Sequence, residues 1–335
     1  MLIRLMIALA AGFIIAALVG KVYVPWLRKI KAGQEIREVG PNWHKTKAGT
    51  PTMGGLIFIV AVLAVVLTVG IEDIRKGSFG ALYVLVFSMF FGAIGFLDDY
   101  EKLKKKQNLG LSARAKFILQ LVVAIVLLLL LRNAGYLQPR LYVPFWGVTL
   151  EMSEWLYFVL AAFIVVGTVN AVNLTDGLDG LAASVTLPVM ICYTAIAFAW
   201  GMQFSSLGVF TAGLTGALLG FLLYNFNPAK CFMGDTGSLF LGGAVCGVAF
   251  ALDMPLILIP VGIIYIIETL SDIIQVGYFK LTHGKRVFKM APFHHHLEMG
   301  GWLGHKWTEK QIVALFTAIT AVCSVAAYFG CVRRF

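Results

Sequence analysis

The sequence predicts an all-α integral membrane protein with about ten transmembrane helices, and three observations support this class. Hydrophobic residues make up 59% of the 335 residues, whereas charged residues make up only 13%. Apolar runs of about 18 or more residues recur along the chain, and each is long enough to cross a bilayer as a helix. Basic residues collect in alternate loops, as in other multi-pass membrane proteins. We therefore expect a single polytopic membrane domain over residues 1–335.

The predicted spans are apolar windows of about 20 residues. They cover residues 2–24, 53–71, 79–97, 115–132, 155–172, 181–200, 206–224, 237–253, 256–279 and 311–331. The first window is too long for a signal-peptide core, so we interpret it as a span. The five cysteines show no CxxC spacing, which indicates neither disulfides nor zinc.

The loops and termini divide into two sets that differ in charge. One set of loops carries 19 of the 27 Lys and Arg residues, and the other set, with both termini, carries 7. The positive-inside rule places the basic loops in the cytoplasm and both termini outside. Topology explains most of the formal net charge of +10, and binding of anionic headgroups or an anionic substrate is a second use. No separate basic patch with interleaved aromatics is present, so we expect no nucleic-acid partner.

One predicted outer segment, residues 136–152, alternates aromatic and β-branched residues around prolines and a glycine. This pattern is typical of a short β-hairpin on the outer surface.

The third predicted span ends in GFLDDYEKL, where Asp98 and Asp99 are adjacent. Neighbouring carboxylates repel unless a cation or a proton lies between them. In the structural alternative, Lys102 and the lysines at 104–106 neutralise the charges of these two acids at the end of the helix. Acids near a helix C-terminus oppose the helix dipole, so the placement favours a functional role.

The fifth predicted span runs into NAVNLTDGLDGL, which contains Asp176 and Asp179. Capping of the next helix by Thr175 or Asp176 is the structural alternative. It accounts well for one acid in this motif and less well for both. Asn173 and the neighbouring glycines equally suit a nucleotide or phosphate site. The motif alone leaves both interpretations open.

The seventh predicted span ends in YNFNPAKCFMGDTGSLFLGG, where Asp235 stands among glycines and hydroxyl side chains. A hard carboxylate oxygen suits Mg²⁺, which prefers one or two carboxylates plus substrate oxygens. Capping by Asp235 or Ser238 is the structural alternative. Phe232 suits either the core or stacking on a base.

The last predicted cytoplasmic loop contains APFHHHLEMGGW, with His294, His295 and His296 in a row. Neighbouring side chains diverge, so the run is not a zinc motif. We expect the cluster, His296 included, to bind phosphate oxygens. Within the ninth span, Glu268 and Asp272 lie four residues apart, and either interhelical pairing or a functional role fits them.

Carboxylates and histidines on one face predict Mg²⁺-dependent phosphoryl transfer between a lipid and a soluble anionic substrate. A transporter of a phosphorylated anion would place acids near mid-membrane on broken helices. A membrane scaffold gives no reason for acids on one side only. The transferase interpretation is therefore preferred.

Five blocks of the chain resemble, in order, signatures of the phospho-N-acetylmuramoyl-pentapeptide transferases (the MraY family) over residues 1–335. The family belongs to the polyprenyl-phosphate N-acetylhexosamine-1-phosphate transferases. The blocks are KAGTPTMGG (47–55), GFLDDYEKL, NAVNLTDGLDGL, FMGDTGSLFLGG and APFHHHLE. The aspartate blocks mark the superfamily, whereas GTPTMGG and the triple histidine point to the peptidoglycan branch.

The resemblance implies transfer of phospho-MurNAc-pentapeptide from its UDP carrier to undecaprenyl phosphate, giving lipid I and UMP. It also implies Mg²⁺, a cytoplasmic-face site in a bacterial cytoplasmic membrane with its lipids, a ten-span fold with a fragmented ninth helix, and a homodimer. A sibling enzyme that transfers GlcNAc-1-phosphate is the alternative, and the histidine block argues against it.

The resemblance assigns roles residue by residue. Asp98 and Asp99 match the acids near the lipid phosphate, with Asp98 the base, and Asp235 matches the Mg²⁺ ligand. The positions that match nucleotide contacts are Lys102, Asn173, Asp176, Asp179, Asn225 and Phe232. The positions that match phosphate-handling or catalytic residues are Lys47, His294 and His295. A one-step attack by the lipid phosphate and a two-step route through an aspartyl adduct are the competing mechanisms.

Overall fold

The structure, a computed structural model, describes residues 1–30, 49–105 and 110–331, so the predicted site residue Lys47 lies outside the described residues. Thirteen α-helices and one two-stranded sheet make up the described chain. The helices are α1 Leu2–Lys29, α2 Gly55–Thr68, α3 Ile71–Arg75, α4 Gly80–Lys105, α5 Ala113–Asn133, α6 Glu154–Thr175, α7 Leu181–Ala199, α8 Ser205–Asn225, α9 Gly234–Ala251, α10 Leu258–Val261, α11 Ile263–Leu281, α12 Phe293–Glu298 and α13 Glu309–Cys331.

The all-α membrane class is confirmed, because eight helices in the described part are long and apolar enough to cross a membrane. Each of the ten predicted windows coincides with a helix or a helix pair. The ninth window is broken, since Pro255–Val261 and Ile263–Leu281 meet at 81°. Helix α2 has only 14 residues, or about 21 Å of helix against a hydrocarbon core of about 30 Å. Ten full spans therefore stay a prediction.

Helices α8 and α9 form the buried centre of the bundle. Helix α1 packs along α8, while α4 and α6 pack along α9. Close approach of α1 to α8 depends on missing side chains: a Cβ atom on Gly216 would overlap the backbone carbonyl oxygen of Leu9. Small residues thus allow backbone contact where lipid supplies no hydrophobic driving force between helices.

The predicted hairpin is present as β1 (Arg140–Val143) paired antiparallel with β2 (Val148–Glu151). It packs at the end of the bundle where α9 and α13 terminate. Arg140 donates from Nε to Oδ2 of Asp253 at 3.1 Å, and Asp253 follows α9. The backbone N–H of Phe145 donates to the carbonyl oxygen of Gly330 in α13.

The first residues of α1 lie at the same end of the bundle as the hairpin. Arg4 donates to both carboxylate oxygens of Asp73 and to Oγ of Ser205, the first residue of α8. Both described ends of the chain therefore share one end of the bundle, as an even number of crossings requires. The opposite end carries the polar motifs.

Candidate active site

Three aspartates from two helices form a compact cluster at the end of the bundle away from the hairpin. Asp98 and Asp99 lie on α4, and Asp235 lies in the first turn of α9. One carboxylate oxygen from each lies within 4.8 Å of the others, the spacing of a metal-ligand set among the described residues. Helix packing thus joins acids that stand more than 130 positions apart in the chain.

Glycines allow α4 and α9 to meet at this cluster. A Cβ atom on Gly95 would overlap the backbone carbonyl oxygen of Asp235. A Cβ atom on Gly234 would overlap Oδ2 of Asp99, and Gly234 has a positive φ of 70° that favours glycine. The distance between the acidic side chains therefore depends on the absence of side chains at both positions.

Asp99 binds the start of α9 through both carboxylate oxygens. Oδ1 accepts from the backbone N–H of Asp235 at 3.1 Å. Oδ2 accepts from the backbone N–H of Thr236 at 2.9 Å and from its hydroxyl at 2.7 Å. These are N–H groups that a helix leaves unpaired, and a carboxylate there is favoured by the helix dipole. Asp99 therefore caps α9 from a neighbouring helix.

Asp98 makes different contacts. Its Oδ1 accepts from the backbone N–H of Leu111 at 2.9 Å, and its Oδ2 lies 2.6 Å from Nζ of Lys102. Gly110 packs so closely that a Cβ atom there would lie 2.6 Å from Oδ1. The carboxylate is thus held between a turn that precedes α5 and a lysine on its own helix.

Asp235 is the most densely contacted of the three acids. Oδ2 lies 2.9 Å from Nζ of Lys102 and 2.8 Å from Nζ of Lys116. Oδ1 accepts from Nδ2 of Asn173 at 2.8 Å, and Nδ2 also reaches Oγ of Ser238. Three carboxyl groups therefore face two ammonium groups, and a bound cation or a proton offsets the remaining negative charge.

The GTPTMGG block also builds this site, through its backbone. The N–H of Phe232 donates to the carbonyl oxygen of Pro51, and the N–H of Gly54 donates to the carbonyl oxygen of Phe232, both at 2.8 Å. A Cβ atom on Gly54 would lie 2.6 Å from Sγ of Cys231. Residues 51–54 therefore lie beside the loop that leads into Asp235.

Asp176 caps the C-terminus of α6 and lies beside the acidic cluster. Burial raises the pKa of its carboxyl well above the usual value, and the negative charges of Asp235, Asp99 and Asp179 add to the shift. A carboxyl in this setting favours its protonated form. The turn does not cap α7 by an acid side chain, because the residue before α7 is Gly180, at a φ of 76°.

Asp179 is buried and binds the loop that precedes Asp235. Its Oδ2 accepts from Nδ2 of Asn227 at 3.1 Å and from the backbone N–H of Ala229 at 2.9 Å. Glu309 at the start of α13 accepts from the N–H of Asp179 and from Asn227. The second acid of NLTDGLDG is thus bonded to its own protein.

Asn225 and Phe232 flank the same loop. Nδ2 of Asn225 donates to the carbonyl oxygen of Cys231 at 3.0 Å, while its buried Oδ1 has no hydrogen-bond partner among the described residues. The Phe232 ring is half-buried, so it is accessible for stacking.

The three histidines of α12 point to three different environments. Nδ1 of His294 lies 2.8 Å from Oε2 of Glu268, and the ring of His294 lies against Gly177. His295 pairs through Nδ1 with Glu298 at 2.7 Å. The structure therefore places His294 against Gly177 of the NLTDGLDG turn, and the ring of His295 lies 4.1 Å from that of His294.

His296 belongs to an aromatic cluster. Its Nδ1 accepts from the backbone N–H of Lys289 at 3.1 Å, and its ring lies 4.5 Å from that of Trp302 and 5.4 Å from that of Phe288. Burial, followed by the charge of Lys289, lowers its pKa. These contacts serve packing of the loop, whereas substrate binding by His296 stays a prediction.

The sequence motifs did not identify Lys116 as a site residue, and they left the role of Glu268 open. Lys116 looks like one of many topology-setting lysines, although its place one turn inside an apolar helix is a signal. Glu268 was undecided between pairing and function, and the structure pairs it with His294. Asp272, one turn further along α11, is half-exposed.

The chain matches known proteins in two ways. The profile described as glycosyl transferase family 4 matches residues 81–253, which include Asp98, Asp99, Asp176, Asp179 and Asp235. The first signature of phospho-N-acetylmuramoyl-pentapeptide-transferase matches residues 47–59.

Curated relatives extend the match over almost the whole chain. Phospho-N-acetylmuramoyl-pentapeptide-transferase of Clostridium acetobutylicum is 44% identical over 95% of this chain and 96% of its own length. The enzyme of Geobacillus thermodenitrificans is 43% identical over 94% of both chains. The enzyme of Caldanaerobacter subterraneus is 44% identical over 98% of this chain and 99% of its own.

The protein is a helical membrane bundle with a cluster of acids and lysines at one end, and its chain matches this profile. These findings define a membrane transferase of glycosyl transferase family 4. The chain belongs to the phospho-N-acetylmuramoyl-pentapeptide-transferase family, a family of peptidoglycan synthesis.

Proposed function

We propose that the protein transfers phospho-MurNAc-pentapeptide from UDP-MurNAc-pentapeptide to undecaprenyl phosphate, which yields lipid I and UMP. The observation that carries this proposal is the cluster of Asp98, Asp99 and Asp235 with two lysines, in a chain that belongs to this family. Phosphoryl transfer depends on positioning and on stabilisation of phosphate charge, and this cluster offers both.

Mg²⁺ is the metal that the donor set fits. Carboxylate oxygens from three side chains lie within 4.8 Å of one another, and hard oxygen ligands are the ones that Mg²⁺ prefers. The two ammonium groups at Asp235 already neutralise part of this charge, as a cation would. In the proposal Asp235 holds the metal, and the bound metal neutralises developing charge on the leaving phosphate.

Asp98 is the proposed base. It removes a proton from the lipid phosphate, whose oxygen then forms a bond to the sugar-bearing phosphorus while the P–O bond to UMP breaks. Its contacts with Lys102 and with one backbone N–H support this role, because they orient the carboxylate without occupying every lone pair. Lys102 and Lys116 lie where they can bind the phosphate oxygens. The family resemblance assigns phosphate handling to Lys47 as well, and Lys47 lies outside the described residues.

The hydrogen bonds of Asp99 favour a positioning role. Three donors of α9 share its two oxygens, so the carboxylate is a poor candidate for a nucleophile. This observation favours the one-step mechanism over an adduct on Asp99. Release of UMP in one equivalent without lipid phosphate, together with a trapped phospho-sugar on the protein, would contradict it.

The NLTDGLDG turn and the loop before Asp235 form the proposed nucleotide side. Asn173 bridges this side to Asp235. Asp176 lies near Asp235 and Asp99, and Asn225 has a buried Oδ1 without a hydrogen-bond partner among the described residues. The half-buried ring of Phe232 suits stacking on uracil. Asp179 acts in this proposal through the loop that it holds. His294 lies against Gly177 of the turn, and the ring of His295 lies beside that of His294.

The proposed location is the cytoplasmic face of a bacterial cytoplasmic membrane. The supporting observation is that the basic loops join the helix ends that carry the acidic cluster. A homodimer is proposed from the family resemblance, and the mass of the detergent-purified protein measured by light scattering tests it.

A detergent assay of UMP release tests the proposed activity. With both substrates and Mg²⁺ we expect turnover, and we expect none after chelation. Asp98→Asn and Asp235→Asn should each lower kcat by at least about 100-fold, the usual range for loss of a general base or of charge stabilisation. Full activity without metal or in both variants contradicts the proposal. UDP-GlcNAc in place of the first substrate distinguishes the sibling transferase.

A further inference from the structure

A fully buried carboxylate and a histidine form a pair that the proposed reaction has not used. Glu268 lies within the apolar helix α11, and neither its side chain nor that of His294 is more than 1% exposed. An ionisable residue inside a membrane helix is a functional candidate unless a partner explains it. Here the partner is a histidine of the motif that marks the family.

The geometry of this pair suits an ionised carboxylate, which serves both contacts with His294. Oε2 of Glu268 lies 2.8 Å from Nδ1 of His294, and Oε1 accepts from the backbone N–H of His294 at 3.2 Å. An ionised carboxylate accepts at both oxygens and donates at neither. Nδ1 must then carry a proton, and in a neutral imidazole the other nitrogen, Nε2, is left as an acceptor.

Nε2 is the atom that this arrangement leaves free. It is buried and has no hydrogen-bond partner among the described residues. A Cβ atom on Gly177 would overlap it, so Nε2 lies directly against the NLTDGLDG turn, at an exposed residue without a side chain. A buried acceptor without a partner is unfavourable, because it has lost its hydrogen bonds to water. A donor that reaches Nε2 recovers this cost.

We propose that Glu268 is a positioning residue: it keeps the proton on Nδ1 of His294 and directs Nε2 to accept a hydrogen bond from an N–H or O–H group of the UDP-linked substrate. The inference rests on the proposed function, because it uses the NLTDGLDG turn as the substrate side of the site. The donor belongs either to the nucleotide or to the sugar-peptide half. A small shift of the Gly177 backbone opens the path to Nε2.

Glu268→Gln separates this role from a structural one. Glutamine has one acceptor oxygen for two donors, so its amide N–H₂ faces Nδ1 and drives the ring proton to Nε2. Two donors then face each other in the complex. We expect KM for UDP-MurNAc-pentapeptide to rise about 10- to 100-fold, as for loss of a supporting hydrogen-bond partner, with kcat unchanged within about twofold. A variant that merely folds less well loses apparent kcat instead.

Two further variants complete the test. His294→Ala should raise KM similarly, and the double variant should be no worse than His294→Ala, because Glu268 acts through the ring. Asp272→Asn removes a charge from the same helix one turn away and should leave KM unchanged. UMP affinity assigns the donor: a parallel loss in Glu268→Gln places it on the nucleotide, and an unchanged affinity places it on the sugar-peptide half.

Nitrogen NMR of ¹⁵N-histidine-labelled wild-type protein tests the tautomer without any activity. We expect Nδ1 of His294 to be protonated in the wild type and Nε2 in Glu268→Gln, with assignment by the signal that disappears in His294→Ala. An unprotonated Nδ1 in the wild type, an unchanged KM in Glu268→Gln or additive losses in the double variant would overturn the proposal. Absence of UMP release by the wild type would instead contradict the proposed function.

Discussion

Asp179 lies in a motif that resembles a nucleotide-binding one, but its carboxylate accepts hydrogen bonds from the protein itself. Because its Oδ2 accepts two hydrogen bonds from the 227–229 loop, Asp179→Ala leaves the partly buried N–H of Ala229 without this acceptor and leaves Asn227 with Glu309 alone. We expect a loss of about 1–3 kcal/mol of stability, the cost of one unpaired donor, measured by thermal unfolding in detergent. Glu154→Ala is the matched control, since its exposed pair with Arg132 contributes about 0–1 kcal/mol. Equal effects in the two variants would contradict a structural role for Asp179.

Asp176 differs from Asp179 because its surroundings favour the protonated carboxyl. Its pKa is raised by burial and by three nearby aspartates, so the ionised form is disfavoured in the folded state. The folded state then binds more protons than the unfolded state, and stability falls as pH rises above the usual value of 3.8. Asp176→Asn removes this pH dependence. The variant should be more stable than the wild type at pH 7, with no difference near pH 3.

The measurement for Asp176 is the midpoint of thermal unfolding between pH 3 and pH 8, with Asp73→Asn, at the opposite end of the bundle, as the control. If the wild type and Asp176→Asn show parallel pH curves, the raised pKa is wrong. The proposed substrate contact predicts in addition a higher KM for the UDP-linked substrate in Asp176→Asn.

The residues of the site could be predicted from the sequence far better than their partners. Motif positions identify Asp98, Asp99 and Asp235, because acids are rare in a membrane chain and stand out. That Asp99 caps α9, or that Lys116 reaches Asp235, depends on how α4, α5 and α9 pack, and no local pattern encodes this. Three histidines in a row suggested one shared role, but a short helix turns each side chain to a different partner.

At the scale of helices, the contact between α4 and α9 sets the geometry of the acidic cluster. Gly95→Ala places a methyl group on the carbonyl oxygen of Asp235, and backbone cannot yield as a side chain can. The helices must separate, so Asp99 loses its bonds to α9 and the acids move apart. We expect kcat to fall at least about 100-fold, since a misplacement of about 1 Å costs that much.

Gly167→Ala is the control for this prediction. Gly167 lies in α6, and a Cβ atom there meets nothing within 4 Å. Alanine should therefore stabilise the helix by about 0.5–1 kcal/mol and leave the rate of UMP release unchanged. A comparable loss of activity in both variants would show that the α4–α9 contact has no special role.

Hydropathy alone predicted neither the break in the ninth segment nor the short length of α2. A window of apolar residues predicts a span but not a bend, and the 81° break falls at Gly262 after Pro260. The break was expected from the family resemblance rather than from the apolar pattern. Helix α2 is short because the GTPTMGG block before it pairs with the loop before Asp235 instead of extending the helix.

At the scale of the whole molecule, two sets of loops lie at opposite ends of the bundle. The hairpin, the start of α1 and the end of α13 share one end, and the acidic cluster lies at the other. Helix α9 joins them with 18 residues, or about 27 Å, close to the thickness of a hydrocarbon core. The loops rich in basic residues join the helix ends that carry the acids, so the charge rule predicts that this end faces the cytoplasm.

Cysteine labelling tests this orientation. Trp146 in the hairpin turn is 79% exposed, and Leu303 between α12 and α13 is 97% exposed. In a variant without the five native cysteines, a membrane-impermeant maleimide should label Trp146→Cys in spheroplasts, where the reagent reaches only the outer face of the membrane. It should label Leu303→Cys only in inverted vesicles, and the cysteine-free parent should stay unlabelled from both sides. Reversed labelling would place the acidic cluster outside, where a cytoplasmic UDP-linked substrate cannot reach it. Labelling of both positions from the same side of the membrane would contradict the placement of the hairpin and the α12–α13 loop at opposite ends of the bundle.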